Sequence, residues 1–116
     1  MTATNCLFCR IAAGAIPAKV VYEDNLVVAF EDINPQAPTH VLVIPREHIA
    51  MLSDTLPENE LLLGHMTGVA TQIAKQCGAD GGGYRLVFNC GADAGQTVFH
   101  IHLHLLFGRK FAWPPG

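Results

Sequence analysis

Apolar positions mostly alternate with polar ones or run together in short stretches, and only once do they settle into a helical period. The segment "PENELLLGHMTGVATQIAKQC", residues 57–77, spaces Leu62, Met66, Val69, Ile73 and Cys77 by threes and fours. Acids at its start and Lys75 near its end suit the helix dipole, so it predicts the one long helix, stopped by Gly78. The shorter "CLFCRIAAG" fits one or two helical turns stopped by Gly14. "KVVYED" and "LVVAFED" are β-rich runs joined by a turn at Asp24-Asn25, and "THVLVIP" is an apolar strand ended by Pro45 and followed by "REHI". The prolines of "NPQAP" mark a loop and "ADGGG" a turn. "YRLVFN" is a strand with Tyr84, Leu86 and Phe88 on one face. "CGADAGQ" is a glycine-bearing loop, "QTVFHIHLHLLFG" a further strand, and the tail "KFAWPPG" is irregular. The pattern predicts an α+β fold, an antiparallel sheet of about five strands flanked by helices.

At 116 residues, with no repeat or interior linker, one domain over 1–116 is expected. Half the residues are hydrophobic and 15% are charged, which excludes a disordered chain and leaves apolar surface for a second copy to cover. A net charge of −3 without a Lys/Arg cluster excludes a footprint on a nucleic-acid backbone. No apolar run is long enough for a spanning helix, and "MTATNCLFCR" lacks the form of a signal peptide, so no membrane partner and a cytoplasmic setting are expected. There Cys6, Cys9, Cys77 and Cys90 read as thiols or metal ligands rather than disulfides.

The stretch at 96–108 carries three of the six histidines. On a strand, His100, His102 and His104 share one face while Ile101, Leu103 and Leu105 bury on the other. Side chains two apart on one strand stand about 7 Å apart, awkward for three ligands of one metal ion. The other reading makes the middle imidazole a nucleophile, one ring nitrogen keeping its proton on a backbone carbonyl and the other presenting its lone pair. Phosphorus suits as electrophile, because "GADAGQT" offers backbone N–H groups and a hydroxyl for phosphate oxygens. A protonated His104 would add positive charge. "CLFC" alone is half of a zinc site or a redox pair.

The run "HIHLHLL" resembles the motif of the histidine triad superfamily, in which three histidines alternate with apolar residues. "IPAKVVYED", "AFEDINPQAPTHVLVIPREHI", "AGQTVFHIHLH" and the terminal "WPPG" are similar to its nucleotide-binding branch, the purine nucleoside phosphoramidases, over nearly the whole chain. The resemblance implies a homodimer whose two five-stranded sheets join into one of ten strands. It also implies hydrolysis of the P–N bond in nucleoside monophosphates joined to amines, with aminoacyl adenylates as further substrates. His102 matches the nucleophile and His40 the histidine that supports proton movement beside it. His104, Asn89, Gly95, Gln96, Thr97 and the Val98 amide match positions around the phosphate and departing group, and Asp32 the carboxylate that takes the ribose hydroxyls. Leu7, Phe8, Ile11, Phe30 and Ile33 match the walls of a purine pocket, and Trp113 a tail that reaches the partner subunit's site.

Superfamily members with a Cys-x-x-Cys pair bind structural zinc through residues that correspond to Cys6, Cys9, His48 and His100, which leaves the chemical step free of any cofactor. Two rivals remain at this point. One is a dinucleoside polyphosphate hydrolase, which shares "AGQTV" and the triad but not "WPPG"; the other is a nucleotide-binding regulatory module with little turnover.

Overall fold

The computed structural model describes residues 5–116, so residues 1–4 of the expected domain lie outside the described residues. Five strands, β1 (Val20–Glu23), β2 (Val27–Glu31), β3 (Thr39–Pro45), β4 (Tyr84–Phe88) and β5 (Leu103–Phe107), form one antiparallel sheet in the order β1-β2-β3-β5-β4. A short helix α1 (Leu7–Ala12) and a long helix α2 (Glu60–Gln76) complete the expected α+β architecture. No helix among the described residues is long and apolar enough to cross a membrane.

Alternation along the strands divides the molecule into two layers. In the register Ala29↔Val43↔Leu103↔Phe88, odd positions of β2, β3 and β5 meet even positions of β4 on one face. Met66, Val69, Ala70, Ile73 and Ala74 of α2 pack on that face with Tyr84, Leu86 and Phe88, as the helical spacing predicts. Met66 is fully buried there, a burial worth roughly 1.5–3 kcal/mol. On the opposite face, Val28, Phe30, Leu42 and Ile44 carry α1, chiefly through Phe8, with Ala18 and Val98 at the margin. Six residues of helix cannot cover that face, and the uncovered part is where His104 stands, paired with Leu42 on one side and Val87 on the other.

Three local expectations need correction. Residues 57–59 form a separate turn of 3₁₀ helix with Pro57 at its start, and α2 begins at Glu60. Cys77 caps the helix and is exposed instead of joining the apolar stripe. The histidine strand begins only at Leu103, so His100 and His102 lie in the irregular segment before it. The register explains this: two steps beyond Val43↔Leu103 it would set Ile101 against Pro45, which cannot donate to the ladder. Ile101 N–H bonds instead to the Ile49 carbonyl at 2.7 Å.

Candidate active site and metal centre

The uncovered part of the second face is a cavity of about 590 Å³, in the range of small-molecule sites. Leu7, Phe8 and Ile11 of α1 form one wall, and Phe30, Asp32 and Ile33, at and just beyond the end of β2, form another. Phe8 meets Phe30 edge to face with ring centroids 5.6 Å apart, and meets the His102 ring in the same way at 5.1 Å. The far end is lined by Gly95, Thr97, Val98, His40, His102 and His104. Gly95 has φ +92°, open to glycine but strained for a side chain, and the turn it makes carries the loop back to Thr97.

Three residues picked from the sequence do not line this cavity. Gln96 is buried and braces the loop, its Oε1 accepting from Gly91 N–H and its Nε2 donating to the carbonyls of Ala50 and Val98. Asn89 is half-buried just past β4, and Trp113 is 82% exposed on the tail. Conversely, the cavity is also lined by Leu42, Gln36 and the stretch Ile16, Pro17 and Ala18. Leu42 was open to discovery, since it shares its strand face with Phe30 and sits opposite His104. Ile16–Ala18 lies in no helix or strand whose period could have pointed to it.

Hydrogen-bond partners fix the ring tautomers. His102 Nδ1 lies 2.8 Å from the His100 carbonyl, and a carbonyl only accepts, so Nδ1 carries the proton and Nε2 of the neutral ring keeps its lone pair. His40 Nδ1 accepts from Gln36 N–H at 3.0 Å, which places the neutral ring's proton on Nε2. His40 Nε2–H then donates to His104 Nδ1 at 2.8 Å, and His104 in turn keeps its proton on Nε2. Asp32 Oδ2 stands 3.5 Å from His40 Nε2, while its Oδ1 accepts from Asn34 N–H.

This corrects the expectation of a cationic His104. Burial first, then the neighbouring rings of His102 and His40, push its pKa down to about 4 against the pull of Asp32, so near neutral pH it is an uncharged donor. His40 is shifted the same way, mainly by burial. Asp32, His40 and His104 approach closely enough to suggest a metal trio. The proton on His40 Nε2 occupies the nitrogen a metal would need, so they form a hydrogen-bond chain.

His100 faces the other way. It is completely buried, and its Nε2–H donates to the Pro45 carbonyl at 2.8 Å, leaving Nδ1 bare. That nitrogen lies 3.4 Å from Cys6 Sγ, 3.5 Å from Cys9 Sγ and 3.2 Å from His48 Nδ1, and Cys9 Sγ is 3.3 Å from His48 Nδ1. Four such donors, all within 4.8 Å of one another, can hold a metal ion. Ligands at zinc bond lengths in a tetrahedron would be separated by roughly 3.3 Å for two nitrogens and 3.6 Å for nitrogen and sulfur. The donor set fits. Cys9 N–H donates to Cys6 Sγ at 3.4 Å, the N-terminal cap of α1.

A family model described as "HIT domain" matches residues 13–111. Among solved structures, a HIT family hydrolase from Legionella pneumophila is 54% identical with a TM-score of 0.95, covering 97% of this chain and all of that one. A histidine triad nucleotide-binding protein from Candida albicans is 32% identical with a TM-score of 0.81, over 95% of this chain and 83% of that one. A zinc-bound histidine triad family protein from Mycobacterium smegmatis is 37% identical with a TM-score of 0.80, over 97% and 80% respectively.

Proposed function

The chain belongs to the HIT domain family, and we propose that it hydrolyses the P–N bond of purine nucleoside phosphoramidates through a nucleotidyl-histidine intermediate. The observation that carries this reading is the His102 tautomer: Nδ1–H is committed to the His100 carbonyl, so the Nε2 lone pair is available. Purine stacks between Phe8, Leu7 and Ile11 on one side and Phe30 and Ile33 on the other, and Asp32 accepts from the ribose hydroxyls. Such walls suit a flat base without reading its edge. The phosphate lies against the Gly95–Val98 loop beside His102 and His104. A nucleotide ligand agrees with the Candida protein's description.

In the first step His102 Nε2 bonds to the α-phosphorus as the P–N bond breaks, and the nitrogen leaves as the free amine with a proton taken from solvent, while the His104 Nε2–H and the Thr97 hydroxyl hold the departing group by hydrogen bonds. In the second step water attacks phosphorus, its proton returns to solvent, and His102 leaves with its lone pair. The His40 Nε2–H bond to His104 Nδ1 fixes the His104 proton on Nε2, where it serves as a hydrogen-bond donor to the departing group. The proton taken up by the amine is matched by the one that water releases.

Cys6, Cys9, His48 and His100 would hold zinc, which supplies folding energy and lies outside the route of attack. The zinc-bound Mycobacterium relative supports this assignment. Strand β4 is an open edge of the sheet, which suits pairing with a second copy into ten strands, with Trp113 reaching towards the partner's site. We place the protein in the cytoplasm, a setting in which the thiol ligands Cys6 and Cys9 stay reduced.

The test is amine release from adenosine, guanosine and pyrimidine nucleoside phosphoramidates, beside diadenosine polyphosphate. Faster turnover of the purine phosphoramidates is expected. A preference for the polyphosphate would favour the dinucleotide hydrolase, and binding with no turnover a regulatory module.

A further inference from the structure

We infer that the Cys6–Cys9–His48–His100 cluster sets the cavity's affinity for the nucleotide by anchoring α1, while the attacking geometry of His102 rests on the bonds around His100 and needs neither the two sulfurs nor His48. This rests on the reading of the cluster as a metal centre and of the cavity as a nucleotide site.

Helix α1 has six residues, too few to persist without tertiary anchors. Cys6 and Cys9, one turn apart, reach the cluster from it, while Leu7, Phe8 and Ile11 present the cavity wall. Its C-terminal end has its own tie, the Ala12 carbonyl accepting from Arg46 Nη1 at 2.9 Å. The N-terminal turn, with Leu7 41% exposed, is tied to the rest of the molecule through the sulfur atoms. Freeing that turn loosens Leu7 and Phe8 against the base.

The nucleophile is anchored through the backbone around His100. His102 Nδ1–H binds the His100 carbonyl, the Ile101 N–H binds Ile49, and the His100 ring binds the Pro45 carbonyl. None of these three bonds involves a sulfur atom or His48. Cys6, Cys9 and His48 are therefore positioning residues for the α1 wall, and their loss is felt in nucleotide binding before the chemical step.

The experiment compares metal-loaded protein, the same protein after chelation and after zinc is restored, and Cys6→Ser, with exposed Cys77→Ser as control. Zinc content, the Kd for adenosine 5′-monophosphate by calorimetry, the single-turnover rate at saturating adenosine phosphoramidate, and amide exchange over 7–12 and 103–107 are measured on each. Metal loss should raise Kd on the order of tenfold and leave the saturated rate within about threefold. Exchange should quicken in α1 and not in β5, restored zinc should reverse each change, and Cys77→Ser should behave as wild type. If Cys6→Ser does not fold, the chelated wild type carries the test. An unchanged Kd in metal-free protein, or a saturated rate that collapses at unchanged Kd, overturns the inference while the zinc reading stands. A chain that takes up no zinc overturns both.

Discussion

The two ends of the histidine row use one side chain in opposite ways. His100 gives its Nε2–H to the Pro45 carbonyl and turns a bare Nδ1 towards two sulfurs and His48. Two residues on, His102 gives its Nδ1–H to the His100 carbonyl and turns Nε2 towards the cavity. In each case a backbone carbonyl selects the nitrogen left for chemistry, and the surroundings select the chemistry: a partly buried cluster of sulfur and nitrogen donors at one end, a 590 Å³ cavity at the other. The irregular backbone before Leu103 makes the division possible, because on a continuous strand both rings would face the same side.

If the division is real, substitutions at its two ends should fail differently. His102→Ala should lower hydrolysis more than about a hundredfold, at least roughly 3 kcal/mol of barrier, while the melting temperature and monophosphate binding stay near wild type. Steady-state rates beside thermal melts check this, and retention of more than about a hundredth of the activity would remove His102 as the nucleophile.

His100→Ala should do the reverse in stability. It empties a fully buried site, orphans the Pro45 carbonyl and removes a ligand of the cluster, costing about 2–3 kcal/mol and lowering the melting temperature by roughly 10 °C or more. Zinc content should fall with it. A variant that melts like wild type would erase the contrast between the two ends.

A smaller effect follows from His104. Its folded pKa of about 4 lies below the ordinary 6.5, so between those values the unfolded chain binds more protons and folding loses stability as pH falls. The loss begins near pH 6.5, levels off below about pH 4, and is held by water at the cavity mouth to about 1–2 kcal/mol. His104→Gln should flatten that part of the stability profile, as followed by denaturant melts from pH 7 to 4. An unaltered slope would mean that His104 titrates normally.

The tail should matter least. Deleting residues 113–116 removes an exposed Trp113 and should change relative kcat/KM between bulky and small amine leaving groups by about threefold. Equal changes for both would leave Trp113 no selective role.

Much of this fold and site is legible in the order of the residues. Period-two and period-three-to-four patterns locate the sheet, α2 and the face of Tyr84, Leu86 and Phe88 correctly. The family resemblance supplies the cavity residues and the cluster that periodicity cannot, because Cys6, His48 and His100 come from segments 94 and 52 residues apart that meet only in the fold. What stays hidden in the sequence are effects of neighbours. Alternation between 100 and 104 suggests one strand, yet the ladder stops where Pro45 would face Ile101. Gln96 sits in a loop that suggests contact with phosphate, yet its amide satisfies three backbone groups. His104 can be placed in the motif, but its neutrality depends on burial beside two other rings.

The most direct test of the covalent role of His102 is rapid acid or detergent quench of the protein with adenosine phosphoramidate, followed by peptide mapping by mass spectrometry. One adenylyl group per active chain, on the peptide containing His102 and lost in His102→Ala, is the predicted result. An adduct on another residue, or undiminished turnover with no adduct at times shorter than one catalytic cycle, would contradict it.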